Sequence, residues 1–185
     1  MFYRCEMETE LQLLNAIRSG EKGAQRRLYE RFAGQAIAIG MRYVPDPDQV
    51  RDVVHDSFVK ILTAVNQFHY RGEGSLKAWV NSIVAHQAIN FLREHERLQL
   101  TDLTAEIVEE EEPDIGRISA EELTRLIGQL PAGYRMVLNL YVFEQLSHKE
   151  IGHLLGIKPE SSASQYSRAK QMLAREIMNY LKNDK

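Results

Sequence analysis

The sequence predicts an all-α fold of two small helical domains joined by an acidic linker, and three observations carry that prediction. Apolar residues recur at helical spacing on both sides of the chain's middle, no run alternates as a strand would, and acidic residues crowd into one central segment. At 185 residues one or two domains are equally plausible by length, so internal organisation decides the count.

The first helix is carried by Leu11, Leu14 and Ile17 and ends at Ser19-Gly20. A second follows on Leu28, Phe32, Ala36 and Ile39, ending at Pro45-Asp46-Pro47-Asp48, and a third on Val50, Val53, Val54, Phe58, Ile61, Leu62 and Val65. The turn-forming run Arg71-Gly72-Glu73-Gly74-Ser75 separates it from a fourth, about Leu76 to His95. Beyond the acidic segment the pattern predicts helices over Leu123 to Leu130, Ala132 to Phe143, Ser147 to Leu154, and Pro159 to about Leu181, the first of them stopped by Pro131.

The linker is placed at 98–118, where Glu109-Glu110-Glu111-Glu112-Pro113 sets four adjacent like charges before a proline and so opposes compact helical packing. A solvated acidic helix of a single domain is the alternative. The net charge of −3 conceals the distribution: Glu94 to Glu122 holds eleven Asp and Glu against two Arg, a local charge of −9, which leaves +6 on the rest. Two mildly basic bodies on an acidic strap suit a nucleic-acid partner better than the total suggests. Each body is near the size at which a core is only marginally self-sufficient, which favours a partner to lean on.

Composition narrows the classes. An apolar fraction of 44% and a charged fraction of 26% are those of an ordinary soluble protein, and no stretch nears the roughly 20 apolar residues of a membrane span. Met1 to Glu10 lacks the apolar core and cleavage site of a secretory signal, so a cytoplasmic location is expected. Cys5 has no second cysteine to pair with and no ligand at metal spacing, and is read as inert. His148 and His153, five apart, miss one-face metal geometry and are expected at the surface. With no glycine-rich phosphate loop, serine elbow or paired carboxylates tied to a pocket, no catalytic activity, cofactor or metal is expected.

The most informative stretch is Leu146 to Pro159. Ser147 and Glu150 form a Ser-x-x-Glu capping box, in which hydroxyl and carboxylate satisfy amide donors at a helix start. Ile151, Leu154 and Leu155 give one apolar stripe, Gly156 suits a left-handed turn, and Pro159 suits the first position of the next helix. This predicts a helix-turn-helix, whose second helix enters the DNA major groove. On that helix Tyr166, Ala169, Leu173, Ile177 and Leu181 make the inward stripe, while Ser161, Ser164, Ser167, Arg168 and Lys170 fall largely elsewhere. A core helical hairpin with a solvated Ser-rich face is the alternative from this fragment alone.

Taken with two further blocks, the chain closely resembles the extracytoplasmic-function group of bacterial sigma factors, over nearly its whole length and in the right order. Asp52-Val53-Val54-His55-Asp56-Ser57-Phe58-Val59-Lys60 is similar to the region-two helix that binds the clamp coiled coil of the polymerase beta-prime subunit. Ser75-Leu76-Lys77-Ala78-Trp79 through Asn90-Phe91-Leu92-Arg93 is similar to the adjoining helix and loop that handle the minus-ten element. Leu130-Pro131 through Leu138, Lys149-Glu150-Ile151 and Ser167-Arg168-Ala169-Lys170 resemble region four, the minus-thirty-five reader. The resemblance implies region two at 1–97 and region four at 119–185.

It further implies a polymerase contact at Asp52, His55, Asp56 and Phe58, and acidic side chains four apart do share the helical face such a contact needs. His55 departs from the usual Gln and Asp56 from the common Glu. For the minus-ten element the matching residues are Arg71, Ser75, Lys77, Asn81, His86 and Asn90, where a glycine loop beside polar side chains can receive an extruded base. Trp79 is expected in the core rather than on DNA.

For the minus-thirty-five element the matching residues are Ser161, Ser164, Gln165, Ser167 and Arg168 with Lys149, Lys158 and Lys170; of these Ser164, Ser167 and Arg168 are the candidates for base contact and the three lysines for phosphates. Relatives often carry basic side chains at the places of Ala163 and Gln165 and an apolar one at Ser162, so the match is looser there. The implied partners are core RNA polymerase (beta-prime clamp helices and beta flap), promoter DNA and an anti-sigma protein covering exposed apolar and basic faces. The acidic linker is expected in the polymerase's basic RNA-exit path, as related linkers are. A self-sufficient helix-turn-helix regulator and a regulatory adaptor are the rival readings, separated by DNA binding without polymerase and by transcription with added core enzyme.

Overall fold

A computed structural model of the chain describes residues 8–95 and 115–183. Cys5 and the Glu109 to Glu112 run, with nearly all of the expected linker, lie outside them. The described residues form eight α-helices and no strand. They divide into two compact units, one of 8–40 with 47–88, the other of 41–46 with 89–95 and 115–183.

In the first unit α1 (Glu10–Arg18) starts at Thr9, whose hydroxyl accepts from Gln12 N at 3.2 Å while Gln12 Oε1 accepts from Thr9 N at 2.8 Å. This reciprocal cap matters in a nine-residue helix, because two otherwise orphaned amides are satisfied at once. Gly20 and Gly23, with φ of 73° and 85°, make the turn into α2 (Ala24–Tyr43). Proline at the first position of α3 (Pro47–Ala64) opens that helix where the sequence placed a break. Helices α2 and α3 approach closely at Gly40, where a Cβ would stand 2.9 Å from Val50 Cγ1.

A 3₁₀ turn at Val65–Gln67 and the Arg71–Ser75 loop lead into α4 (Ser75–His95). The unit closes over Leu13, Leu14, Leu28, Phe32, Val54, Ile61, Leu76 and Val84, all buried. Leu11, by contrast, is exposed, so the inward face of α1 is set by Leu13, Leu14 and Ile17.

The second unit holds α5 (Ala120–Gly128), α6 (Ala132–Val142), α7 (His148–Leu155) and α8 (Pro159–Asn183), preceded by a 3₁₀ turn at Ile115–Arg117 inside the stretch expected as linker. Ile127, Leu130, Leu138 and Ala169 form its core cluster, against which Leu123, Tyr134, Tyr166 and Leu173 pack. A buried cation sits beside this cluster. Arg135 Nη1 donates to Gly128 O at 2.9 Å and Leu130 O at 2.8 Å, answering carbonyls that the end of α5 leaves without helical partners, and its Nε donates to Tyr43 O at 2.7 Å. Tyr43, also buried, donates its hydroxyl to Glu144 at 3.1 Å, and burial first, then Glu144, raises its pKa.

Candidate nucleic-acid and partner interfaces

On α3 the helical spacing sorts side chains by face. Val50, Val53, Val54, Phe58 and Ile61 are buried, whereas Asp52, His55 and Asp56 are exposed on the opposite side. Phe58 therefore does not stand with the acidic residues: it is 5% exposed, and its ring centroid lies 4.7 Å from that of Tyr29 on α2. Its place on the exposed face is taken by Val59, half exposed and seven residues beyond Asp52, which completes the stripe 52, 55, 56, 59. The i+7 spacing was the available signal for Val59. Buried Ser57 is satisfied by donating to Val53 O at 2.6 Å.

The loop before α4 is built from its glycines outward. Gly72 and Gly74 have φ of 118° and 89°, conformations that side-chain-bearing residues rarely adopt. Ser75 Oγ donates to Gly72 O at 2.6 Å and accepts from Arg71 N at 3.2 Å, so this serine ties the loop together. Arg71 and Lys77 are exposed beside it.

The remaining minus-ten candidates do not share one face. At about 100° per residue, Lys77 and Asn81 lie on one side of α4, and His86 and Asn90 roughly opposite. Asn81 turns toward the interior, its Oδ1 buried and without a hydrogen bond. His86 and Asn90 are exposed, and His86 Nδ1 meets Ser82 O at 2.6 Å. Trp79 is half-buried rather than fully enclosed, stacked on Phe68 at 4.8 Å.

In the second unit, α7 and α8 form the predicted helix-turn-helix. Ser147 caps α7 reciprocally with Glu150: Glu150 N donates to Ser147 Oγ at 3.3 Å, and Ser147 N to Glu150 Oε2 at 2.8 Å. The Ser147 hydroxyl and then its amide, both donating to the Glu150 carboxylate, hold its pKa below the ordinary value. Gly156 ends α7 at φ 70°, ψ 33°, and Ile157 N donates back to Gly152 O at 3.0 Å, closing the turn. Gly152 is required for a different reason, crowding, since a Cβ there would stand 2.7 Å from Ile157 O.

Helix α8 packs against α5, α6 and α7, so more of its circumference is enclosed than one apolar stripe suggests. Ser161 and Gln165 consequently lie inside, 8% and 1% exposed, and neither is presented for base contact in this conformation. Lys149, Lys158 and Lys170 are exposed, while Ser164, Ser167 and Arg168 are partly exposed. Arg168 Nη1 donates to Tyr134 OH at 3.4 Å, and Lys170 Nζ lies 5.3 Å from the Tyr166 ring centroid. Tyr166 joins Tyr141 and His148 in an aromatic cluster, so His148 is half-buried, unlike exposed His153.

Among the described residues no helix is long and apolar enough to cross a membrane. Residues 28–98 match the family described as sigma-70 region 2, and residues 120–173 that described as sigma-70, region 4. The chain is similar to the RNA polymerase sigma-H factor of Pseudomonas aeruginosa, 26% identical over an alignment of 189 positions that covers 95% of this chain and 97% of that protein. It is also similar to two Bacillus subtilis proteins. RNA polymerase sigma factor YlaC is 28% identical over 136 residues, covering 70% of this chain and 78% of its own length, and ECF RNA polymerase sigma factor SigM is 22% identical over 151 residues, covering 79% and 90%.

Proposed function

Because the chain belongs to the extracytoplasmic-function group of the sigma-70 family and is a sigma factor for promoter-specific transcription initiation, we propose a division of that work among its residues. Residues 1–97 act as region two and 119–185 as region four, joined by the acidic segment 98–118. Asp52, His55 and Asp56 meet the beta-prime clamp helices, with Val59 as the apolar member of the same face and Phe58 supporting it from below. Exposed acids on one helical face suit a basic coiled-coil partner and set the rate and register of docking.

For the minus-ten element, Arg71 and Lys77 attract the strand, Ser75 shapes the loop, and His86 and Asn90 offer a second polar face farther along α4. Region four docks on the beta flap and reads the minus-thirty-five element. There Lys149, Lys158 and Lys170 hold phosphates, while Ser164, Ser167 and Arg168 face base edges. The chain acts in the cytoplasm and by binding alone, without catalysing a reaction. An anti-sigma protein covers its exposed faces between rounds of use.

The observation that carries this reading is the α7–α8 unit, where a reciprocal cap, a left-handed glycine and a proline-started helix succeed one another between Ser147 and Pro159. Transcription in vitro with added core polymerase tests it. A promoter opened only when both proteins are present, with weak duplex binding by the free chain, is the expected result; tight binding by the free chain alone favours a self-sufficient regulator.

A further inference from the structure

The Glu10 side chain is 3% exposed and spends its carboxylate wholly on an element some 65 residues away in sequence, as the ranges of its partners show. Oε2 accepts from Gly74 N and Leu76 N, each at 2.9 Å, and Oε1 accepts from Lys77 N at 3.1 Å. The amides of Ser75 and Ala78 are taken by Gly72 O at 3.1 Å and Gly74 O at 2.9 Å. Every amide from Gly74 to Ala78 thus has an acceptor. A helix start normally leaves such donors to its own cap residue or to water, and here a carboxylate from α1 supplies the acceptor, with charge of the sign a helix N-terminus favours.

A second strut runs alongside. Glu73 accepts from Glu10 N at 3.4 Å and from Tyr70 OH at 3.2 Å, and pairs with Arg31 of α2 at 3.5 Å. The loop that carries Arg71 and Ser75 is therefore pinned by α1 where it joins α4 and by α1 and α2 at its central Glu73, although its two glycines leave its backbone intrinsically free. Because Glu10 occupies the amides of α4's first turn, a DNA phosphate has no vacant helix terminus to bind there. Strand contacts in this region fall to the side chains of Arg71 and Lys77.

We propose that Glu10 is a positioning residue for minus-ten recognition: it fixes the Arg71–Ser75 loop and the first turn of α4 so that an extruded base meets a preformed surface. This rests on the reading that this loop handles the minus-ten element. Preorganisation of that kind acts on affinity and selectivity for the opened strand, leaving the α3 face and the helix-turn-helix untouched.

The test uses holoenzyme assembled from core polymerase and the full chain. Its DNA is a fork junction with the minus-ten segment single-stranded, compared with a panel in which each minus-ten base is replaced. In Glu10→Gln one oxygen becomes an amide donor facing a backbone amide, and affinity for the fork is expected to fall about tenfold with flattened base preference. Affinity for core polymerase and for minus-thirty-five duplex stays at the wild-type value. Glu73→Ala, at an exposed position, shifts base preference in the same direction by a smaller factor, and decides alone if Glu10→Gln does not fold.

Arg71→Ala and Lys77→Ala separate the two claims. If both weaken fork binding while Glu10→Gln and Glu73→Ala keep wild-type base preference, Glu10 serves only stability and the proposal is overturned. If neither Arg71→Ala nor Lys77→Ala alters fork binding, the assignment of the loop itself fails, and the proposal with it.

Discussion

The imidazole of His148 is stacked on the ring of Tyr141, with centroids 4.5 Å apart and planes 13° from parallel, and its Nδ1 lies 3.0 Å from Ser162 Oγ. This ties the first residue of α7 to both neighbouring helices of the reader domain. Burial lowers the His148 pKa from its ordinary 6.5. Below 6.5 the unfolded chain gains a proton that the folded chain resists, so the stability this residue supports is whole above that pH and declines as pH falls through it. Thermal melting of wild type and His148→Phe between pH 7.5 and about 5.5 should show the steeper loss in wild type. Parallel curves would contradict the assignment.

The turn of the helix-turn-helix gives a second expectation. Gly156 sits at φ 70° with open space around its Cα, so Gly156→Ala introduces backbone strain without a clash. About 1 kcal/mol of stability should be lost, and Ser147→Ala should cost a similar amount by removing the cap. Ser147→Asp, which can still accept from Glu150 N, should recover part of it. Chemical denaturation of each variant measures these values; a Gly156→Ala protein as stable as wild type would place that residue in another conformation.

Charge reversal on α3 separates surface from core. Asp52→Arg with Asp56→Arg should weaken binding to core polymerase at least about tenfold and leave the melting temperature nearly unchanged, since both side chains are exposed. Phe58→Ala should do the reverse, costing about 3–5 kcal/mol of stability because the ring is buried against Tyr29. Polymerase affinity measured below the melting transition distinguishes the two. A fully stable Phe58→Ala protein that cannot bind polymerase would return Phe58 to the interface.

What could be read from the sequence was chemistry carried by neighbours. Ser147, Glu150, Gly156 and Pro159 act on amides within a few residues, and the structure has them doing so. The third helix was legible in the same way: Phe58 already belonged to the apolar stripe with Val54 and Ile61, and only the resemblance moved it outward. Glu10 was not legible, because its partners are brought to it by the packing of α1 against the start of α4, and no local pattern marks a glutamate for burial. Ser161 and Gln165 were missed for a related reason. Hydrophobic periodicity cannot identify a polar side chain that is enclosed because its helix packs against three others.

Gln165 provides the sharpest test of that last point. Its side chain is buried, and neither amide atom makes a hydrogen bond. An enclosed, unsatisfied amide carries a desolvation cost of about 1–3 kcal/mol that a well-fitted apolar side chain of similar size would avoid. Gln165→Met should therefore raise the melting temperature while minus-thirty-five binding by holoenzyme stays close to wild type. Arg168→Ala, by contrast, should weaken that binding and relax preference at one position, and Lys158→Ala should weaken it evenly across sequences with a shallower salt dependence. A Gln165→Met protein of unchanged stability that binds the minus-thirty-five element tenfold or so more weakly would mean that α8 turns this residue toward DNA in the working complex.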